Sequence, residues 1–139
     1  MNEIDAFTKQ LEEFSKLTEE AMTKTLREVV VDIGTSVIDL SPVLTGLFRG
    51  NWQATVGSPA SHSLVGEDKS GAATLAEIKS AVTTLNPGED AYIVNNLSYG
   101  FNVETEGWTK TPPYMPVRRT VAQYPARADA IIAKNEVGR

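Results

Sequence analysis

The first forty residues carry an apolar pattern that is long for a chain of 139 residues. Apolar side chains recur there at three- and four-residue steps, the period of one helix face, at Ile4, Phe7, Leu11, Phe14, Leu26, Val29, Val30, Ile33, Val37 and Leu40. The pattern predicts a long helix over residues 1–40. Because only about 100 residues remain to cover it, part of its apolar stripe is expected to meet another subunit.

The middle of this pattern is polar, in the stretch SKLTEEAMTK. Two alternatives follow from it: one helix with a kink, or two helices with Thr18 as the cap of the second. The pair Ser41-Pro42 ends the pattern, because a residue before proline is disfavoured in the α region.

The rest of the chain alternates between strand and helix patterns. In residues 46–57, apolar and polar side chains alternate, which predicts a strand with Arg49 and Asn51 on its polar face. Residues 57–73 are rich in Gly, Ser and Ala and predict a loop or a hairpin arm. Residues 74–86 predict a helix whose apolar face carries Leu75, Ile78, Val82 and Leu85.

The last part of the chain completes the predicted fold. Residues 90–96 are a short apolar run that predicts a central strand, followed by a short helix or turn that ends at Gly107. Residues 116–135 predict a helix with a kink at Pro125, whose apolar stripe is Val117, Val121, Tyr124, Ala128, Ile131 and Ile132. The chain is therefore predicted to be one α+β domain over residues 1–139, with a small antiparallel sheet flanked by a long N-terminal helix, a middle helix and a C-terminal helix.

The net charge of −5 lies entirely on the first segment. Residues 1–40 hold nine acidic and four basic side chains, and residues 41–139 hold nine of each. Nucleic-acid binding is disfavoured, because phosphate backbones are bound by clustered Lys and Arg. The acidic segment is interpreted as a solvated helix face, as a complement to the basic C-terminal helix, or as a surface that faces DNA without binding it. Basic residues of that last helix are Arg118, Arg119, Arg127 and Lys134.

No combination of residues in the sequence predicts a catalytic, cofactor or metal site. The chain has no cysteine and one histidine, which excludes disulfides and Cys/His zinc ligation. That histidine, His62, lies in the predicted loop without partners that would hold a catalytic imidazole. Glu104 and Glu106 share a face on a strand but diverge on a helix. Trp108 is interpreted as a packing residue or an interface anchor.

The sequence also predicts a cytosolic site of synthesis. It contains no run of about 18 apolar residues, so no membrane span is expected. Its N-terminus, MNEIDAFTKQ, is polar and acidic, unlike a signal peptide.

Two stretches resemble a known family. SPVLTGLFRGNW resembles the P-x-x-T-G-x-L-x-x-[NS] element after the first helix of tail-completion, or neck, proteins of long-tailed bacteriophages. YIVNNLSYGFNVETEG resembles that family's later strand, aromatic turn and short helix, and TPPYMPVRRTVAQYPARADAIIAK fits the proline-bearing segment and C-terminal helix that follow. The match is carried by Pro42, Thr45, Gly46, Leu47, Asn51, Trp52, Asn95, Tyr99, Glu104 and Gly107, while Gly100 stands where the family commonly has alanine.

The resemblance implies a structural protein of the virion and no enzyme. Such proteins usually form a ring, commonly a hexamer, between the head connector and the tail terminator or tail tube, and DNA passes through the lumen. No cofactor and no membrane partner is expected. The residues considered as interface candidates, with local packing as the alternative, are Arg49, Asn51, Trp52, Tyr99, Glu104, Trp108, Arg118 and Arg119.

Two other classes of function are left open by the residues. A small hydrolase would use Glu104 or His62 and would place that residue in a concave pocket. A non-viral adaptor domain would share the fold and differ in its gene neighbourhood.

Overall fold

The first helix is continuous. The structure, a computed structural model, describes residues 2–135, with the side chains of residues 10 and 13–17 outside that description. Helix α1 spans Glu3–Asp39. It begins where the Asn2 side-chain oxygen accepts a hydrogen bond from the Asp5 N–H at 2.8 Å, as an N-cap does, and it ends just before Ser41-Pro42. The long helix is confirmed, and the alternative of two separate helices is wrong.

The remaining elements form a small α+β fold, as predicted. Strands β1 and β2 pair antiparallel, with Trp52 opposite Asn95 and Val56 opposite Ala91. The elements after α1 are β1 (Trp52–Val56), α2 (Ala72–Ala81), β2 (Ala91–Asn95) and α3 (Pro116–Asn135). Short 3₁₀ turns lie at Arg49–Asn51 and Val82–Thr84, and a π-helical turn lies at Asn102–Glu106.

The first strand is shorter than the sequence pattern predicts. Residues 46–51 do not join the sheet, because Gly46 has a left-handed φ of 93° and its carbonyl accepts the N–H of Gly50 at 2.8 Å. Arg49 and Asn51 therefore lie in a helical turn, and their predicted place on the polar face of a strand is wrong. Residues 57–71 form the predicted loop, and the predicted helix over 74–86 is α2 followed by a 3₁₀ turn.

The core lies between the second half of α1, α2 and one face of the sheet. Ile38, Phe48 and Ile78 are buried together there. A second cluster joins Val30 of α1 to Val82 and Leu85. The apolar face predicted for the middle helix therefore faces the core, and its members Ile78 and Leu85 are fully buried.

Helix α3 runs antiparallel to α1 and is held to it by polar contacts. The hydroxyls of Ser36 and Thr120 lie 2.7 Å apart. Further along, the Arg127 guanidinium donates two hydrogen bonds of 2.8 Å to the Asp32 carboxylate. Asn135, at the end of α3, donates to the Thr25 hydroxyl at 3.0 Å.

This packing covers only part of the predicted apolar stripe of α3. Of that stripe, Ala128 is buried and Ile131 is half-buried. The other members remain exposed because α1 meets the adjacent face of α3, through Ser36 and Asp32. We call the exposed members the α3 stripe: Val117, Val121, Tyr124 and Ile132.

The first half of α1 extends past the last described residue of α3. That residue, Asn135, lies beside Thr25, and residues 3–22 of α1 continue for about 30 Å at the rise of an α-helix. We call this segment the overhang. Its large apolar side chains that the structure describes are 52–74% exposed: Ile4, Phe7, Leu11 and Met22.

Candidate functional site

Residues 41–52 connect α1 to the sheet, and we call this connection the corner. Gly46 lies in the corner, and the 57–71 loop packs against it. Its carbonyl accepts the N–H of Asp68 at 3.0 Å as well as that of Gly50. A Cβ at this position would lie 2.5 Å from the backbone nitrogen of Lys69. Both the left-handed φ and this close backbone approach require glycine.

Asn51 and Trp52 are buried inside the same corner. The Asn51 amide donates to the carbonyls of Leu47 and Leu64 at 2.7 and 3.0 Å and accepts the N–H of Leu64 at 2.7 Å. The Trp52 indole N–H donates to the Ser41 hydroxyl at 2.8 Å. Asn51 and Trp52 are only 0% and 4% exposed, so their prediction as interface residues is wrong for the folded subunit: their polar groups hold the loop and the end of α1.

Arg49 is half-buried and also bonds within the subunit. Its two terminal nitrogens donate to the carbonyls of Lys69 and Ser41 at 2.9 and 3.0 Å. These bonds join the loop to Ser41, two residues after the end of α1. The guanidinium therefore stabilises the corner.

The two stretches that carry the family resemblance contact each other. The Asn95 amide, at the end of β2, donates to the carbonyl of Phe48 at 2.9 Å. The rings of Tyr99 and Trp52 each lie 5.9 Å from the ring of Phe48, centre to centre. Residues 47 to 51 positions apart in the sequence thus form one aromatic corner, with Tyr99 at its exposed side.

Glu104 organises the start of α3. Its carboxylate accepts the backbone N–H groups of Val117 at 2.7 Å and Arg118 at 3.3 Å. A negative charge there satisfies free N–H groups and favours the positive end of the helix dipole. Glu104 thus has a structural role that explains its position without chemistry.

Gly107 and Trp108 form the turn before α3. Gly107 has a φ of 64°, and a Cβ on it would lie 2.3 Å from the carbonyl oxygen of Thr111. Trp108 exchanges two backbone hydrogen bonds with Thr111, at 2.8 and 3.0 Å. Its side chain is half-exposed, so it remains accessible to a partner.

The basic candidates are on the surface of α3. Arg118 and Arg119 are both exposed. Arg119 donates to the carbonyl of Tyr114 at 3.4 Å. Within residues 2–135, neither arginine forms an ion pair, whereas Arg127 pairs with Asp32 and Lys134 with Glu28.

The loop that carries His62 is held by hydrogen bonds from side chains to its backbone. The His62 carbonyl accepts hydrogen bonds from the side-chain amides of Gln53 and Asn96 at 2.7 and 3.1 Å. The imidazole itself is on an exposed residue. Within the described part of the chain, no three His, Asp or Glu side chains are grouped as a metal site requires, and no helix has the length and apolar character needed to cross a membrane.

Two carboxylates outside the overhang, those of Asp68 and Glu28, have lowered pKa values. Hydrogen bonds lower the pKa of Asp68 below its ordinary value, first from the Thr74 N–H and, against the effect of burial, from the Thr74 hydroxyl and the Gly71 N–H. Burial raises the pKa of Glu28, but Asn135 and Lys134 outweigh it and the net shift is downward. Asp68 thereby caps α2, whose own N-cap residue, Gly71, has no side chain for this role.

The structure has two exposed apolar surfaces, the overhang and the α3 stripe, and the sequence pattern indicates only the first of them. The excess length of the first helix is a signal for the overhang. Nothing in the pattern separates the α3 stripe from a core stripe, because its spacing is the same.

Comparisons of the chain with protein-family models, curated proteins and solved structures give no match.

Proposed function

We propose that this chain is a structural subunit of a bacteriophage neck, which assembles with further copies of itself into a ring between the head connector and the tail terminator or tail tube. The observation that carries the proposal is the overhang, whose large apolar side chains, as far as the structure describes them, are exposed in the single subunit: Ile4, Phe7, Leu11 and Met22. Fully burying a side chain such as Ile, Leu, Phe or Met stabilises an assembly by about 1.5–3 kcal/mol. An exposed apolar surface of this kind marks a contact with another protein.

The corner supports the same proposal. Its bonds from Trp52 and Arg49 to Ser41 hold the end of α1 to the start of the sheet, and the bond from Asn51 to Leu64 holds the loop. A helix that projects about 30 Å can present a surface to a neighbour only if its base is rigid. The motif residues of the family resemblance therefore have a role in orientation, and we assign the chain no enzymatic activity and no cofactor.

In this proposal, the ring is commonly a hexamer, as in the family that the sequence resembles, and the chain is made in the host cytoplasm and located in the virion. DNA passes through its lumen without specific binding. The acidic charge of α1 has two possible places in such a ring. It lies at a subunit contact, or it lines the lumen, where repulsion between like charges keeps DNA free to slide.

Imaging of virions tests the proposal. Virions from the genome that encodes this chain are purified with a peptide tag at the C-terminus of the chain, labelled and imaged by electron microscopy. We expect label and ring-shaped density at the junction of head and tail. A tagged chain that is absent from infectious virions, or that labels only the capsid shell or the distal tail, contradicts the proposal.

A further inference from the structure

Two apolar stripes, one on the overhang and one on α3, are exposed in this subunit. They are similar in spacing and length and are flanked by opposite charges. We infer that the overhang of one copy packs along the α3 stripe of the next copy in the ring. This inference rests on the proposed function, because it names the surfaces through which the subunits of that ring meet. It commits to a second copy of this chain as the occupant of both stripes.

The spacing of the two stripes supports a helix-to-helix contact. Ile4, Phe7 and Leu11 follow steps of three and four residues on the overhang. On the α3 stripe, Val117, Val121 and Tyr124 follow steps of four and three, and Ile132 follows eight residues later. Alternation of these steps is the spacing of two helices packed side by side.

The two stripes also have similar lengths. The overhang stripe, from residue 4 to residue 22, is about 27 Å long, and the α3 stripe, from residue 117 to residue 132, is about 22 Å long. One helix can therefore cover nearly all of the other.

Charge selects this pairing over its main alternative. Residues 3–22 contain six acidic and two basic side chains. Two overhangs packed on each other would bring these acidic segments together, whereas the α3 stripe is flanked by Arg118 and Arg119, which form no ion pair within the described residues. Opposite charges favour the overhang-to-α3 contact and oppose the overhang-to-overhang contact.

The geometry of one subunit requires that the two surfaces belong to different copies. The described part of helix α3 already lies against α1 from Ser36 to Thr25. The overhang continues in the direction away from α3 and cannot fold back on it, since α1 is one continuous helix. A contact between two different patches on identical subunits is heterologous, and such contacts close into rings when the rotation between neighbours allows it.

Cysteine cross-linking tests the pairing directly, because the chain has no cysteine of its own. Leu11→Cys and Val121→Cys chains are mixed and oxidised, and the L11C/V121C double variant is treated in parallel. Both positions are exposed in the subunit, so the variants are expected to keep the native fold. We expect one disulfide-linked pair of chains in the mixture and a ladder of multimers in the double variant, with masses checked by light scattering before oxidation.

A matched control replaces V121C by Glu77→Cys, on the exposed side of α2. The inference predicts at least a tenfold lower yield of cross-linked chains from L11C with E77C. Equal yields in the two mixtures, or L11C chains that link mainly to each other, overturn the inference.

The masses separate this inference from the proposed function. Native oligomers without an 11-to-121 cross-link overturn the pairing and leave the ring proposal in place. A native chain with the mass of one subunit at every concentration also overturns the pairing, and the proposed function is then decided by the virion imaging alone.

Discussion

The two halves of α1 have the same sequence pattern and opposite environments. Toward its C-terminal end, Val37 and Ile38 are 3% and 2% exposed, and the helix packs on α2, α3 and the sheet. In the overhang, Ile4 and Phe7 are 74% and 60% exposed. Apolar periodicity thus indicates which face of a helix will be covered, but it does not indicate whether the same chain or a neighbour covers it.

The polar residues of the helix show a second difference between the halves. Asp32 and Ser36 bond to α3 within the subunit. Acidic residues of the overhang, such as Glu12 and Glu19, are exposed. The second half of α1 therefore has both its apolar and its polar contacts inside the subunit, and we assign the overhang to assembly.

The largest expected effect comes from two identical substitutions in the two halves. Ile38→Ala removes a buried side chain and is expected to lower the free energy of unfolding by about 2–5 kcal/mol. Ile4→Ala changes an exposed side chain and is expected to alter it by less than about 0.5 kcal/mol. Chemical denaturation at a concentration where the chain is a single subunit measures both. Equal losses would remove the distinction between the halves.

The corner that ends the buried half gives the next effect. Gly46→Ala forces a left-handed residue and places a Cβ 2.5 Å from the Lys69 nitrogen. Gly57→Ala is the matched control, because Gly57 has a similar φ of 96° and no atom within 4 Å of its Cβ position. We expect the control to lose about 1 kcal/mol through backbone strain and Gly46→Ala to lose clearly more. Similar thermal midpoints for the two variants would mean that the loop approach at Gly46 does not matter.

A smaller effect is expected on how the free energy of unfolding changes with acidification, and it comes from a residue outside the overhang. The pKa of Asp68 is lowered in the folded chain, so its contribution to stability is present above its ordinary pKa of 3.8 and is lost as the pH falls through the folded value. Asp68→Asn also removes the charged cap of α2 and is expected to cost about 0.5–2 kcal/mol at pH 7. Unfolding measured between pH 7 and pH 3 should show a shallower decline for this variant.

Glu67→Gln serves as the control for that experiment, because Glu67 is an exposed neighbour of Asp68. Its unfolding curve is expected to follow that of the native chain across the same pH range. A native chain with no loss of stability on acidification would contradict the role given to Asp68.

Surface charge gives the smallest effect, and it acts on assembly alone. Reversing Arg118 and Arg119 to Glu is expected to leave the unfolding midpoint unchanged and to weaken self-association several-fold, most strongly at low salt. Reversing Glu12 and Glu19 to Lys in the same chain should restore part of the loss. Sedimentation equilibrium at two salt concentrations measures both variants.

Charge reversal on the overhang alone separates the two places proposed for its acidic residues. Reversing Glu12, Glu19 and Glu20 should weaken the ring if they lie at a subunit contact. If the ring forms normally and infectivity falls, these residues line the lumen instead.

The sequence was sufficient to predict the elements whose contacts follow a simple period. The bounds of β2 and α3 and the core face of α2, with Ile78 and Leu85, agree with the structure. Of these segments, the middle helix buries one regular apolar face, so its spacing carries the information.

The corner and the loop could not be predicted in the same way. Asn51 holds Leu64 and Gln53 holds His62 through side-chain bonds to the backbone, and such contacts leave no periodic signal. The turn at Gly46 shortens the predicted strand. This turn packs against the backbone of Lys69, more than twenty residues later, so the local sequence pattern does not indicate it. The apolar pattern of α3 does not show which of its faces meets α1, since Asp32 and Ser36 select a neighbouring face of α3 by polar contacts.

The most direct test of the two-halves account is one substitution in the overhang, Leu11→Asp. Light scattering gives the mass of the variant and of the native chain at the same concentration, and chemical denaturation under dilute conditions gives the stability of each subunit. We expect the native chain to form oligomers, the variant to have the mass of one subunit, and the two to unfold with equal free energy. A variant that keeps the native oligomeric mass, or that loses stability as a single subunit, would contradict it.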